Sequence, residues 1–170
     1  MNSLTNEVDR LLTLHLGNIK VGIAQRMAAL GRMSSGRSVA SLQIEVKNSK
    51  GFLSGDKQWE TMQRGRRSGK VPSNFREIIK NWVKQKGISI QPRGGQSPKQ
   101  AIESFSYLVT RNIMQNGTKL YRDKGYNDIY DTLLEEEIKK LTNETESVLE
   151  LEIDKLNDRF IDDNNTLLIN

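Results

Sequence analysis

The sequence predicts an α+β fold in which a small antiparallel sheet packs against a long N-terminal helix and two central helices, with a long acidic helix at the C-terminus. Apolar residues recur at helical spacing over residues 3 to 30, 75 to 87 and 98 to 116. Residues 39 to 47 instead alternate apolar with polar side chains, which is typical of a half-buried strand. Residues 128 to 160 return to helical spacing and are rich in Asp and Glu.

The first predicted helix, from about residue 3 to 30, is long enough to be a major packing element. Gly31 follows it as the expected C-terminal cap, because glycine readily adopts positive φ. His15 is the only histidine in the chain, and on or beside the apolar stripe we expect a packed or surface imidazole, neither a ligand nor a base. The stripe consists of Leu4, Val8, Leu11, Leu12, Ile19, Ile23, Met27 and Leu30.

The predicted sheet begins after a loop over residues 32 to 37. A strand is predicted from Val39 to Lys47, and Asn48–Gly51 has the composition of a turn. Phe52-Leu53 then opens a second strand. The residues of the first strand expected to face inward are Leu42, Ile44 and Val46.

A further strand is predicted over Gln58–Gln63, and its buried face is left open. Either Trp59 and Thr61 or Glu60 and Met62 face inward. The middle of the chain is therefore expected to run from a strand through a basic turn into a helix.

That basic turn, Arg64–Lys70, contains two glycines that permit positive φ, and the following Pro72 supplies no amide donor, so no regular element crosses it. A helix then begins after Ser73 or Asn74, either of which can accept from the first amides, and it ends at Gly87. Its inward stripe is Phe75, Ile78, Ile79, Trp82 and Val83, and its outward face carries Arg76, Lys80, Lys84 and Lys86.

The second central helix begins at Ser97-Pro98 and ends near Asn116, and Thr118–Gly125 is expected to be a polar hairpin or loop. The acidic helix, with a bend expected near Thr142–Thr145, has a narrow apolar stripe, which predicts packing on a partner helix in the same chain or another. After an Asp-Asp-Asn-Asn breaker, Leu167–Ile169 is expected either to fray or to lie on a neighbouring subunit.

Length and composition limit the class of protein. A chain of 170 residues fits one compact domain with an appended element better than two domains. It has no cysteine, which excludes disulfides, thiolate metal ligands and a cysteine nucleophile. It has no secretory signal pattern and no apolar run long enough to span a bilayer, so we expect a protein made in the cytoplasm with no membrane partner.

Charge divides the chain unevenly, although the net charge is only +5. Residues 1–126 carry 22 Lys+Arg against 8 Asp+Glu, whereas residues 127–170 carry 4 against 13. We predict an α+β domain over 1–126 and an acidic helical extension and tail over 127–170. The basic domain then faces an anionic partner, or the acidic extension of one subunit meets the basic domain of a neighbouring subunit. A solvated acidic helix is the alternative.

Motifs for catalysis are incomplete in this chain. Ser68-Gly69-Lys70 resembles the end of a phosphate-binding loop, but Gly65 stands one residue too close and Val71 replaces the Ser or Thr that would hold magnesium. Glu45–Lys47 resembles half of a restriction-type nuclease site and lacks the further carboxylate that a metal would need. We therefore expect no enzyme activity, no cofactor and no metal site.

The candidate binding residues are the cations of the basic turn, Arg64, Arg66, Arg67 and Lys70. Arginines on a glycine-rich backbone approach phosphates or carboxylates bidentately. The predicted partner is DNA phosphate or an acidic subunit surface, unless the loop is only solvated, and either contact weakens with salt. Few aromatic residues stand next to the cluster in sequence, so single-strand or sequence-specific readout is not expected.

The order of several stretches carries a resemblance to a known family. Ser35–Val46 resembles a Thr-Gly-x-Leu-x-x-Ser segment and the strand after it, and Trp59–Arg66 resembles an aromatic-rich strand ending in Phe-Gly-Arg. Gly69–Pro72 with Ile79–Ile88 resembles a Gly-Lys-x-Pro loop and an Ile-x-x-Trp helix, and Ile113–Lys119 resembles a closing helix end. Together they resemble the head-tail connector, or tail-completion (neck), proteins of tailed bacteriophages and prophages.

The resemblance covers residues 5 to 125, with departures at Ser35, Val39 and Gln63, where the family has Thr, Leu and Phe. It implies an α+β virion subunit at the neck, forming an oligomeric ring that joins the portal and head to the tail around the DNA channel without a cofactor. The implied partners are further copies of the chain, portal, neck or tail proteins, and packaged DNA. A duplex-DNA-binding accessory protein using the same arginines is the alternative.

Overall fold

The computed structural model describes residues 3–33 and 35–167, and this part of the chain is mostly helical. Its strands form a two-stranded antiparallel sheet, and the last helix is long, so the α+β class is confirmed at that level. The elements in chain order are α1 (Ser3–Ala29), α2 (Arg37–Ala40), β1 (Gln43–Lys47), β2 (Lys50–Ser54), α3 (Gln58–Arg64), α4 (Phe75–Gln85), α5 (Pro98–Asn116), α6 (Lys119–Arg122) and α7 (Asp131–Leu167).

The hairpin of β1 and β2 turns at Asn48 and Ser49, inside the predicted turn Asn48–Gly51, but β2 begins at Lys50 and not at Phe52. Both residues have positive φ, 52° and 58°, which is the conformation of the tight turns that match the twist of a hairpin. Asp9 of α1 accepts a hydrogen bond from the Ser49 amide at 2.7 Å, so the turn is held to the helix. The inward prediction is also confirmed, because Leu42 is buried and Ile44 and Val46 are half-buried between exposed neighbours.

The predicted start of the first strand at Val39 is wrong. Gly36 has a φ of 71°, and the Ala40 amide donates to its carbonyl oxygen at 3.0 Å, which closes the helical turn α2. The strand therefore begins only at Gln43, after this turn.

The predicted strand over Gln58–Gln63 is also wrong, because these residues form α3. The buried Gln63 and the half-buried Trp59 and Met62 are spaced by three and four residues, so the inward set mixes the two faces considered for a strand. Glu, Met, Gln and Arg are good helix formers, and that propensity outweighs a six-residue alternation. The chain thus runs helix, basic loop, helix.

The start of α5 follows the sequence pattern closely. The Ser97 hydroxyl accepts from the Gln100 amide at 3.3 Å, and the Gln100 side chain accepts from the Ser97 amide at 2.8 Å, with Pro98 in the first turn. The residue that precedes α4 is Asn74, and its side chain makes no capping hydrogen bond. Of the two caps predicted for this helix, Ser73 or Asn74, the one from Asn74 is therefore wrong.

Two further predictions near the C-terminus are corrected. Within Thr118–Gly125, residues 119 to 122 form the helical turn α6 rather than a hairpin or open loop. α7 continues through the Asp-Asp-Asn-Asn segment to Leu167, so that segment does not break the helix. The rest of the predicted tail, Leu168 and Ile169, lies outside the described residues.

The chain forms two compact units that alternate along the sequence. The first, residues 1–26, 41–54 and 129–170, carries 9 Lys+Arg against 15 Asp+Glu, net −6, and is called the acidic unit below. The second, residues 27–40 and 55–128, carries 17 against 6, net +11, and is called the basic unit. The predicted division into an α+β domain over residues 1–126 and an acidic extension over 127–170 stays a prediction.

In the acidic unit, α1 and α7 pack in antiparallel directions. His15 contacts Glu137, whereas a Cβ at Gly22 would lie 3.0 Å from the Leu133 side chain, so residue numbers rise along one helix as they fall along the other. The hairpin lies close on α1, because a Cβ at Gly51 would come within 2.8 Å of Leu16. Among the described residues, the buried apolar side chains of this unit are Leu11, Ile19, Ile23, Leu42 and Ile129.

In the basic unit, α4 packs against α5. The Lys80 ammonium lies 2.7 Å from Glu103 across this contact and also pairs with Glu77, so part of the basic face of α4 is neutralised. The hydrogen bond from Lys80 holds the pKa of Glu103 below its ordinary value. The buried residues of this unit include Met27, Gln63, Val83, Ala101, Ser106 and Thr110.

Candidate functional site

The basic loop, residues 64 to 70, is fixed along the end of α5 by backbone hydrogen bonds. The Arg66 amide donates to the Thr118 hydroxyl at 2.9 Å, and the Thr118 amide donates to the Arg66 carbonyl at 2.8 Å. Farther along, the Gly69 amide donates to the Met114 carbonyl at 2.8 Å. The loop therefore has a defined path, although it has no regular secondary structure after Arg64.

Two glycines allow this close approach. Gly65 has a φ of 78°, and a Cβ there would lie 2.6 Å from both the Thr118 hydroxyl and the Tyr121 amide nitrogen. On the other side, Gly117 has a φ of 75°. Side chains at either position would both strain the backbone and collide with it, so the sequence places glycine where the two segments touch.

Of the four predicted contact residues, Arg66 is engaged within the loop. Its guanidinium donates to the Lys70 carbonyl at 2.7 Å and lies over the Phe75 ring, 5.8 Å from the centroid. Cation–π contact and hydrogen bonding together orient this side chain. Arg66 thus braces the loop, while its use in contacting a partner stays a prediction.

The other predicted residues, Arg64, Arg67 and Lys70, have exposed side chains. Arg64 lies at the end of α3 with its guanidinium 5.8 Å from the centroid of the Tyr126 ring. All four predicted residues therefore lie on the basic loop, and three of them are accessible to a partner.

A shallow pocket of about 570 Å³ beside Arg64 adds residues that the sequence did not single out. Arg122 and Lys124 line it together with Tyr121 and Tyr126, whose rings are about half exposed. The segment 118 to 125 was recognisable as basic from the sequence, but its proximity to Arg64 depends on contacts between residues about sixty positions apart. The exposed cations Arg64, Arg67, Lys70, Arg122 and Lys124 are called the basic surface below.

Hydrogen bonds fix the residues that line this pocket. The buried Gln63 side chain donates to the Tyr126 hydroxyl at 2.9 Å, and the Asn127 amide donates to the Gln63 carbonyl at 2.9 Å. The Arg122 guanidinium donates to the Gly117 carbonyl at 3.1 Å, which leaves its other donors available. Arginine next to an exposed tyrosine ring suits an anionic group attached to a flat or apolar body, such as a nucleotide or an acidic side chain beside an aromatic one.

His15 lies in a buried polar cluster of the acidic unit, which confirms that it is packed. It is 3% exposed, with Nδ1 2.8 Å from a Glu137 carboxylate oxygen and Nε2 3.3 Å from Glu144. Asn18 and Lys140 also donate to Glu137, at 3.1 Å and 2.5 Å. Hydrogen bonding from Lys140, and then from His15 and Asn18, outweighs burial and lowers the pKa of Glu137 to about 2. The cluster joins α1 to α7.

Two other features are absent from the described residues. Within 3–33 and 35–167, no group of three or more His, Asp and Glu side chains is placed to hold a metal ion. In the same residues, none of the helices combines the length and the apolar character needed to cross a membrane.

Comparison with family models, curated proteins and solved structures gave no match to this chain.

Proposed function

We propose that this chain is a structural subunit of the neck of a tailed bacteriophage, which forms an oligomeric ring between the portal or head and the tail around the DNA channel. In this role it acts through surface complementarity and transforms no substrate. The motif order from Ser35 to Lys119 motivates the family. The observation that supports the role most is the basic loop, because its path is fixed before any partner binds.

A fixed cationic loop is suited to a ring for a physical reason. A preorganised surface loses little conformational entropy on binding, so weak contacts with DNA phosphates or with acidic subunits are repeated efficiently around a closed ring. The opposite net charges of the two compact units, −6 and +11, favour contacts between unlike surfaces of neighbouring copies. Such heterologous contacts generate rings when the rotation between subunits closes.

The test is to delete the gene from the phage or prophage that encodes it and to examine the particles by electron microscopy. We expect DNA-filled heads that lack tails, and rescue of tailed particles when the chain is supplied in trans. Mass spectrometry of purified wild-type virions should detect the chain. The proposal would be contradicted if wild-type virions lacked the chain and the deletion still gave normal tailed particles.

A second candidate function, a duplex-DNA-binding accessory protein, is favoured by the pocket next to Arg64. There Arg122 and Lys124 lie beside Arg64, which enlarges the cationic area available to a DNA backbone. An accessory protein of this kind binds duplex DNA as a free chain, whereas a ring subunit depends on its neighbours for avidity.

DNA titrations at about 50 mM and 200 mM salt separate the two candidates. For the accessory protein we expect submicromolar binding that weakens steeply with salt, and a loss of roughly tenfold or more in affinity for the combined Arg67→Ala and Arg122→Ala variant. The matched control is Lys84→Ala with Arg93→Ala, which removes the same charge from exposed positions outside the basic surface. Equal losses in both variants would contradict site-directed DNA binding.

A further inference from the structure

The C-terminal half of α7 carries an exposed apolar stripe. Leu149, Ile153 and Leu156 are spaced by four and three residues, which places them on one face of the helix. Their exposed fractions are 41%, 55% and 49%. Side chains with this spacing are the anchors by which an amphipathic helix docks in a groove.

This half of α7 extends past α1, the helix that its first half packs against. His15 contacts both Glu137 and Glu144, and a Cβ at Gly22 would meet Leu133, so the antiparallel pairing brings the start of α1 at Ser3 level with about residue 152. From there α7 continues for about 22 Å. Within the described part of the chain, every side chain from Ile153 to Arg159 is exposed. Because helices without tertiary packing are marginal in water, we expect this face to be covered in the assembled state.

The basic unit contains a groove suited to such a helix. It has a volume of about 730 Å³ and is lined by the exposed apolar side chains of Met33, Ile78 and Trp82, which are 37%, 45% and 40% exposed. The cations Arg32 and Arg37 also line it. Two carboxylates are present as well, those of Asp56 and Glu77, of which Glu77 is paired with Lys80.

The walls of the groove are held together by hydrogen bonds within the basic unit. The Lys86 ammonium donates to the carbonyl oxygens of Gly31 and Met33, at 2.7 Å and 2.6 Å, and so fixes the segment after α1 to the end of α4. The Gln58 side chain donates to the Ser38 hydroxyl at 2.8 Å, which ties α3 to α2. A groove formed in advance favours docking, because little ordering is needed on binding.

Charge selects between the possible occupants. Residues 144 to 159 carry six Asp+Glu against two Lys+Arg, whereas the unit that contains the groove has a net charge of +11. Two α7 helices side by side would bring acidic surfaces together, which is unfavourable. Docking of α7 on the basic unit brings opposite charges together, so it is the more favourable contact.

We propose that α7 of one copy docks through Leu149, Ile153 and Leu156 in the groove of a second copy. The contact is heterologous, because each copy offers a helix on one side and a groove on the other, and it therefore builds a ring or a filament. This inference deepens the proposed function by naming the contact between subunits, and it rests on that function only in taking a second copy as the partner.

Disulfide trapping tests the contact directly, since the natural chain has no cysteine. Full-length Ile153→Cys and Asn81→Cys chains, distinguished by tags of different mass, are mixed and oxidised. Asn81 is exposed and lines the groove beside Trp82. We expect the mixed dimer to form about tenfold or more faster than with Leu151→Cys, whose side chain lies on another face of α7, because docking raises the effective concentration of the thiols.

Two outcomes would overturn the docking proposal. Equal rates for the Ile153→Cys and Leu151→Cys chains would mean that the thiols meet only by collision. A dominant homodimer of the Ile153→Cys chain would mean that α7 pairs with α7. As a second readout, Ile78→Glu with Trp82→Glu should abolish the mixed dimer while Leu108→Glu, an exposed position on α5, leaves it unchanged, with helicity checked by circular dichroism.

The failure of this inference and the failure of the proposed function give different results. Rapid mixed crosslinking by a chain that is absent from virions would contradict the neck function alone. A chain present in the neck, but with no selective crosslink between residues 153 and 81, would contradict the docking alone.

Discussion

A Cβ atom at residue 117 would lie 2.6 Å from the carbonyl oxygen of Arg66. The end of α5 and the basic loop therefore touch through their backbones, at a distance that glycine permits and other residues do not. Since Gly117 also has a φ of 75°, its substitution meets both a steric and a conformational penalty. The conformation of the cationic loop thus depends on a residue far from it in sequence.

The first prediction follows from this contact. Gly117→Ala should lower the free energy of unfolding by about 2 to 4 kcal/mol, because the methyl group adds a backbone collision to the cost of positive φ. Urea denaturation followed by circular dichroism measures the change. Gly94→Ala is the matched control, because Gly94 has a φ of 57° with no other atom near its Cβ position, and should lose only about 1 kcal/mol. Equal losses would refute the predicted collision.

The second prediction concerns the hydrogen bonds between Thr118 and Arg66. Thr118→Val keeps the shape of the side chain but removes the hydroxyl that accepts from the Arg66 amide at 2.9 Å, so we expect a loss of about 1 to 2 kcal/mol. Hydrogen exchange at the Arg66 amide should become faster in this variant. Thr118→Ser, which retains the hydroxyl, should exchange at nearly the natural rate. If the valine variant left the exchange rate unchanged, the bond would not be protecting the loop.

The features that the sequence predicted well are those set by neighbouring residues. Ser97, Pro98 and Gln100 define the start of α5 within four positions, and the helical stripe of α1 is long enough to be unambiguous. The Asn48-Ser49 turn was similarly recognisable from its composition. In these cases, local backbone chemistry and tertiary packing favour the same structure.

The features that the sequence did not predict depend on contacts between distant segments. The segment containing Trp59 is too short for its alternation to distinguish a strand from a helix, and the burial of Gln63 against Tyr126 was not visible from spacing. For the same reason, the four predicted cations were found as a cluster in sequence, while Arg122 and Lys124 joined them only in the folded chain.

The third prediction is a pH dependence of the contact between α1 and α7. A carboxylate with a lowered pKa stabilises the fold above its ordinary pKa of 4.5, and this contribution is lost as the pH falls toward about 2, the pKa of Glu137 in the folded chain. We expect a loss of about 2 kcal/mol over this range, after allowing for solvent screening of the exposed Lys140. Urea denaturation at several pH values between neutral and 2 measures it.

Other carboxylates also titrate in this range, so the control for Glu137 is the Glu137→Gln variant. The difference in free energy of unfolding between the natural chain and this variant should shrink as the pH falls from 4.5 to 2. A difference that stays constant over that range would show that the carboxylate of Glu137 makes no pH-dependent contribution.

The last prediction compares two glycines within α1. Apart from its chain neighbours and the backbone of its own helix, no atom lies within 4 Å of a Cβ added at Gly17, so Gly17→Ala should raise the free energy of unfolding by up to about 1 kcal/mol through its higher helix propensity. At Gly22 the added Cβ would lie 3.0 Å from two methyl carbons of Leu133 on α7, so the same propensity gain is offset by displacement of that side chain. Gly22→Ala should therefore be less stable than Gly17→Ala by about 1 kcal/mol or more. In a Leu133→Ala chain the shortened side chain makes room for the methyl group, so adding Gly22→Ala there should be less destabilising than adding it to the natural chain. Additive effects of the two substitutions would contradict the close packing of α1 against α7 at this point.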